Sequence, residues 1–259
     1  MKVVYWNLDA QGRLEFIRYL LHHAGADYTL EKLKEDKNDE IFDWYLNKKK
    51  ALGSTKNPII NLPYIVTDED EFITETVAIM MYLAEILGYY GKNLTEKTRI
   101  NQIVLKVNDF RADVKEHIVF CPKSSEKKIK FAKMGVINYM NQFENCFKIW
   151  NCKYLCSDNI SVADIMAFQI LDIVIKWMPS LFSNFSNLKN WYETMLNDPK
   201  IHEHREKIKH LPGWPHLIDR FENSNVEDKN TPVYKFLEKF VKETVQYWGT
   251  DKTGMEPEF

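Results

Sequence analysis

The chain has 259 residues, 45% of them apolar and 28% charged, with a formal net charge of -2. That length allows two domains, or one large one, with a sizeable core, and the near-neutral charge excludes a global basic field that would recruit nucleic acid or anionic membrane. No apolar run approaches the ~20 residues needed to span a bilayer, and Met1-Lys2-Val3-Val4-Tyr5 is not a signal-like start, so a soluble cytoplasmic protein with a small-molecule or protein partner is expected.

Up to residue 87 short apolar runs alternate with helical patterns. Val3-Val4-Tyr5 reads as a strand. Leu14, Ile17, Arg18, Leu20 and Leu21 recur at a helical spacing that Gly25 stops, and Tyr28 to Leu33 alternates again. Ile41 to Leu52 predicts a helix closed by Gly53. Leu62-Pro63-Tyr64-Ile65 starts a strand behind a proline, which has no N–H to give to a ladder; a second strand, Glu71 to Ile73, runs into a helix from Glu75 to about Leu87, ended by Gly88. A cis bond before Pro63 would turn the neighbouring backbone outward toward an extended ligand, and the free N–H groups at the start of the next helix favour a ligand carboxylate. The order βαβ, α, ββα predicts a small mixed sheet covered by helices over residues 1–87.

After a linker at 88–94 the strand signals fade, and residues 95–210 read as an all-helical domain. One helix is expected from Thr95 to about Phe120, stopped by Pro122, and a second from about Glu126 to Trp150, with a polar loop from Asn151 to Asn159. Ser161-Val162-Ala163-Asp164 has the spacing of a capping box ahead of an apolar helix, Ile165 to Trp177, that Pro179 ends. Residues 211–259 form a C-terminal extension. In it, Thr231-Pro232 is followed by Val233, Phe236, Leu237, Phe240, Val241, Val245 and Trp248 at helical intervals, predicting an amphipathic helix at about 232–248 whose mixed-sign polar face favours docking on the protein's own core. Cys121, Cys146, Cys152 and Cys156 lack a second metal-spaced pair, so reduced thiols and no metal site are expected.

Four separated segments together resemble the cytosolic glutathione transferases. They are Tyr5-Trp6 on the first strand, Gly12-Arg13-Leu14-Glu15 with Ile17-Arg18 at the first helix, Asn61-Leu62-Pro63-Tyr64 with Glu75-Thr76-Val77-Ala78-Ile79, and Ser161-Val162-Ala163-Asp164. Tyr5-Trp6 looks like the mu class, and Gly12-Arg13 with Glu15 more like the sigma and alpha classes. The resemblance implies a thioredoxin-like N-terminal domain followed by an all-helical C-terminal domain, in a homodimer that joins the thiolate of glutathione to small hydrophobic electrophiles. It leaves open a sigma-like isomerase of lipid peroxides, of the prostaglandin D synthase type, and a non-catalytic ligand-binding relative.

What such chemistry requires is set by the thiol. At a pKa of ~8.5 a free thiol is mostly protonated at neutral pH, and lowering that value by ~2 units takes ~2.7 kcal/mol of preferential stabilisation of the anion. By the resemblance, the Tyr5 hydroxyl donates to the sulfur and Arg13 adds Coulomb attraction. Leu62 and Pro63 would align the cysteinyl backbone beside Asn61, and Thr76 would hold the γ-glutamyl carboxylate while Glu75 meets the ammonium. Trp6, Trp44 and Lys49 would serve the glycyl end. Asp109 would reach across the dimer toward the glutamyl ammonium, with Asp113 as competitor. His117 and Phe120 would line the electrophile's side. The loop Asn7-Leu8-Asp9-Ala10-Gln11 is longer than the family's usual one and brings in Asp9, whose charge opposes a thiolate.

Overall fold

The computed structural model describes residues 1–7, 11–33, 43–119, 130–176, 178 and 180–211. The C-terminal helix expected at about 232–248, Phe120 and Asp9 therefore lie outside the described residues. The N-terminal half is built on a four-stranded sheet of order β2-β1-β3-β4, with β1 at Lys2–Trp6, β2 at Thr29–Leu33, β3 at Tyr64–Val66 and β4 at Phe72–Thr74. β1 runs parallel to β2, with Val4 opposite Glu31, and antiparallel to β3, with Val3 opposite Ile65. Its three middle residues are buried, which is why it reads as a continuous apolar run. Alternation divides that strand between two cores: Val3 and Tyr5 join the large cluster shared with the helices, whereas Val4 packs with Trp44, Ile60 and Tyr64.

Helix α1, Leu14–Ala24, ends at Gly25 with φ 69, and α3, Thr76–Leu87, ends at Gly88 with φ 82. Both glycines occupy the left-handed conformation that closes a helix cheaply without a Cβ. Gly53 behaves differently from expectation. It lies within α2, Lys49–Thr55, which continues a π-helical turn at Trp44–Lys48, and its φ is not positive. A Cβ there would lie 3.9 Å from Ile60, so this glycine sits beside a neighbour and does not terminate the helix. The second hairpin strand and the helix behind it each begin one residue later than the spacing indicated, because Thr74 completes the ladder opposite Tyr64 and Glu75 stands between strand and helix.

The second half is helical: α4 at Leu94–Val114, α5 at Val136–Trp150, α6 at Val162–Val174, α7 at Ser186–Leu196 and α8 at Pro199–Ile208. α4 passes into a π-helical turn at Lys115–Val119, and another, Phe131–Gly135, leads into α5. Every residue of α6 is buried, including Asp164, Gln169 and Asp172 on an otherwise apolar helix, as befits a helix surrounded by the bundle. The capping box at its start is formed as expected. Asp164 accepts from the Ser161 N–H at 2.9 Å and the Ser161 hydroxyl at 2.6 Å, and also from the Leu155 N–H and the Trp191 Nε1–H, each at 2.9 Å. A further borrowed cap holds α7: Glu144 of α5 accepts from the Asn187 side chain at 2.8 Å and the Leu188 N–H at 2.9 Å.

The two halves are joined by polar contacts on α1 and α8. Glu15, nearly fully buried, pairs with Arg18 at 2.7 Å and His204 at 3.1 Å, and the Lys200 Nζ donates to the His23 carbonyl near the C-terminal end of α1. The Val162 N–H bonds to the Tyr89 carbonyl, fixing the linker against the start of α6. These contacts make α1 a shared wall between sheet and bundle.

Candidate functional site

A cavity of about 130 Å³ opens where β3, β4 and the start of α3 meet the start of α1. It is lined by Arg13, Asn61, Leu62, Thr74, Glu75 and Thr76, five of which the sequence had singled out. The Leu62-Pro63 bond is cis, and Tyr64 enters the ladder immediately afterwards. Glu75 adopts φ 66, unusual for a residue with a Cβ, at the position that precedes the first helical turn. Backbone held in such a conformation costs about 1–3 kcal/mol and persists where the surroundings over-determine it, which is common at ligand clamps. Its effect is to end β4 and begin α3 within one residue, aiming the free N–H groups of α3 into the cavity.

Arg13 spans the opening, its Nη1 donating to the Thr76 hydroxyl at 3.4 Å. A cation, a hydroxyl and a helix N-terminus thus converge at one end, a combination suited to a carboxylate. Thr74 is a lining residue that sequence reasoning missed. Its hydroxyl donates to the Asn61 carbonyl at 2.8 Å and accepts from the Asn61 N–H at 3.0 Å, pinning the segment before Pro63 to the end of β4. The available signal was its place directly ahead of Glu75-Thr76.

The aromatic residues expected nearby group on the opposite face of β1 from Tyr5. The Trp44 ring stacks on Tyr64 at 6.0 Å and meets Trp6 edge-on at 6.3 Å, while Trp6 lies 6.3 Å from Tyr45. Lys49 places its Nζ 5.8 Å from the Tyr45 ring. Trp44 is 1% exposed, and its Nε1–H has no hydrogen-bond partner among the described residues. A buried donor left open is costly, so such a group marks a place for an acceptor.

Tyr5 is 8% exposed and belongs to the core shared with α1 and α4. Near it lies a residue not foreseen from the sequence, Arg111 of α4, only 5% exposed, with its guanidinium carbon 6.0 Å from the centre of the Phe16 ring. Burial, and then the neighbouring Arg13, push Arg111 down to about 9, and Tyr5 opposes that shift. Arg111 therefore stays a cation at neutral pH, and its field reaches both the hydroxyl of Tyr5 and Arg13. The signal was legible: Val104, Val107, Arg111 and Val114 share one helical stripe, so the arginine stands on the apolar face of α4.

The two aspartates separate clearly. Asp113 accepts from the Tyr139 hydroxyl at 2.6 Å; burial first, and then this bond, hold that hydroxyl well above the usual tyrosine range, whereas the exposed Asp109 contacts Lys106 at 3.4 Å. Neither lines the cavity. His117 packs its ring 5.0 Å from Phe131 at the continuation of α4.

Residues 1–85 match the family model for the glutathione S-transferase N-terminal domain, and residues 108–207 match that for the C-terminal domain. Glutathione S-transferase A2 of Bos taurus is 32% identical over 202 residues, 77% of this chain and 85% of that protein. The chain belongs to the glutathione S-transferase family. A class-mu 26 kDa glutathione S-transferase of Fasciola hepatica is 27% identical, covering 83% of this chain and 91% of its own length. Among solved structures, the Onchocerca volvulus pi-class glutathione S-transferase superposes with a TM-score of 0.66 at 24% identity, covering 80% of this chain and 92% of the other. A prostaglandin synthase D of Nilaparvata lugens has a TM-score of 0.62 at 22% identity, over 80% of this chain and 96% of the other, which speaks for the same fold. The thioredoxin-like and helical halves expected from the motifs are those of this family.

Proposed function

We propose that this glutathione S-transferase family member binds glutathione in the cavity between Arg13 and Glu75 and transfers its thiolate to small hydrophobic electrophiles. The observation that carries the reading is the cavity itself: a cationic, N–H-rich end at Thr76 and Arg13, an acidic side chain at Glu75, and an extended backbone at Asn61 and Leu62. This polarity fits a γ-glutamyl group, whose carboxylate meets the helix N-terminus and whose ammonium meets Glu75. Leu62 pairs with the cysteinyl backbone beside cis-Pro63. The Trp44 donor, unmatched among the described residues, takes the glycyl carboxylate together with Trp6 and Lys49.

In this reading Tyr5, 8% exposed, is the catalytic residue, its neutral hydroxyl donating to the sulfur in a poorly hydrated setting where such a bond is strong. Arg13 orients the tripeptide through Thr76 and adds positive field at the thiolate. The nucleophile then attacks the electrophile held on the far side of Tyr5, near His117. Orientation of the two reactants supplies much of the remaining acceleration. A cytoplasmic homodimer, with Asp109 reaching the partner's ligand and a role in detoxification, completes the proposal. Asp109 suits this better than Asp113, whose carboxylate is engaged by Tyr139.

Two measurements on the purified protein test this reading together. Calorimetry should give saturable glutathione binding, and the thiol of the bound tripeptide should titrate about 2 units below its free value, a difference that Tyr5→Phe removes in large part. Glutathione binding with no change in its thiol pKa would leave a binding protein in place of an enzyme.

A further inference from the structure

Asn57 stands outside the cavity, yet it joins the elements that frame it. Its N–H donates to the Leu52 carbonyl of α2 at 3.0 Å, and its carbonyl accepts from the Ile60 N–H at 3.1 Å. From the side chain, Oδ1 accepts from the Ile59 N–H at 3.0 Å and Nδ2 donates to the Phe72 carbonyl of β4 at 2.7 Å. β4 lies at the edge of the sheet, where an outward carbonyl needs a partner other than a strand. Two residues further along the same strand, Thr74 holds Asn61 by its hydroxyl. β4 therefore fastens the loop at two points before running on into Glu75 and Thr76. Packing sets the loop against α2 as well: Ile60, 1% exposed, shares a core with Trp44 and Tyr64, and a Cβ on Gly53 would lie 3.9 Å from it.

We propose that Asn57 is a positioning residue for glutathione, its side-chain amide tying α2 to β4 and so fixing the distance between the two ends of the site. This inference rests on the glutathione reading above and adds to it a residue that is not part of the cavity lining. In that reading the γ-glutamyl end is held where β4 meets α3, and the glycyl end by Trp44 and Lys49, on the π-helical turn and the helix that continues it. The backbone bond to Leu52 keeps Asn57 on the α2 side, and only its amide crosses to β4. A ligand that spans both elements gains from their being held at a fixed separation, because it need not order them itself. A ligand confined to one of them gains nothing from the tie.

The test compares glutathione with γ-glutamylcysteine, which lacks the glycine, by calorimetry on the wild type, Asn57→Ala and Asn57→Asp. The aspartate keeps an acceptor for the Ile59 N–H but has no donor for the Phe72 carbonyl. Each variant must first show a cooperative melt, and two are used so that the loss of one to misfolding leaves the other. The wild type should bind glutathione the more tightly of the two ligands. Both variants should raise the glutathione Kd about tenfold, the worth of one hydrogen bond, and that of γ-glutamylcysteine by no more than about twofold. A purely structural role would weaken both ligands by the same factor. A ratio of the two Kd values within about twofold of the wild-type ratio in either folded variant, or shifted the opposite way, overturns the inference. Wild-type protein that binds both ligands equally also overturns it, and leaves the γ-glutamyl site standing. Binding of neither removes both.

Discussion

Removing the Asp164 carboxylate is the perturbation whose size follows most directly from the structure. Asp164→Ala strips the acceptor from the Ser161 N–H, the Leu155 N–H and the Trp191 Nε1–H, all in a fully buried setting. Each buried donor left open costs about 1–3 kcal/mol, and the Ser161 hydroxyl loses its partner as well. Against this, burial pushes the Asp164 carboxyl up despite its four bonds, so deleting the group relieves part of a desolvation cost. The net expectation is a loss of about 3–5 kcal/mol. For a chain of this size each kcal/mol moves the melting temperature by about 2–4 °C, so a drop of about 6–20 °C is expected by calorimetry. Asp164→Asn, which keeps one acceptor oxygen, should fall between the two. A melting temperature for Asp164→Ala within about 2 °C of wild type would refute the reasoning.

Trp44→Phe should weaken glutathione binding about tenfold while changing the stability of the free protein by no more than about 1 kcal/mol, because it removes a buried donor unmatched among the described residues; titration and melting separate the two effects. Glu75→Ala should raise the glutathione Kd about tenfold or more through loss of a charge-assisted bond, and an unchanged Kd would detach Glu75 from the ammonium. Thr74→Val should weaken glutathione binding and lower stability by about 1–2 kcal/mol, since the Asn61 backbone loses both its bonds to the hydroxyl. Mild acid should destabilise the protein. His23, bonded to Tyr89 and near Asp198, Lys200 and His22, lies below the ordinary histidine range through burial, and His22 is lowered likewise by burial and by His204. With folded values depressed, the unfolded chain binds more protons, so stability is complete above a pH of about 6.5 and declines as pH falls toward the folded values. Melting temperatures measured from neutral to mildly acid pH should fall, and His23→Asn should flatten that slope.

The sequence alone carried the order of the strands, and of the helices as far as α6, because the signals there are local: Gly25 and Gly88 end helices through backbone conformation, and the Ser161-to-Asp164 spacing makes a cap within one turn; α7 and α8 were not separated within the helical region. It also located most of the cavity, since Asn61, Leu62, Glu75 and Thr76 come from two short neighbouring segments. Gly53 escaped it. A glycine ends a helix only where the backbone turns left-handed, and here packing near Ile60 keeps the helix running to Thr55.

What only the tertiary structure decided depends on residues far apart in the chain. Asp113 and Asp109 are equivalent as letters on one helix, yet the hydroxyl of Tyr139 engages the first and leaves the second exposed. Arg111 shows as an odd residue on an apolar stripe, but its meaning comes from α1 and β1, which bring Phe16, Arg13 and Tyr5 against it. The burial of the Trp44 ring, whose indole donor is unmatched among the described residues, likewise comes from Tyr64 and Trp6 packing against it. Backbone sterics and helical periodicity act within a few residues and are written in the chain. Dielectric surroundings and partner choice are set by which distant surfaces close together, and they determine the chemistry of the site.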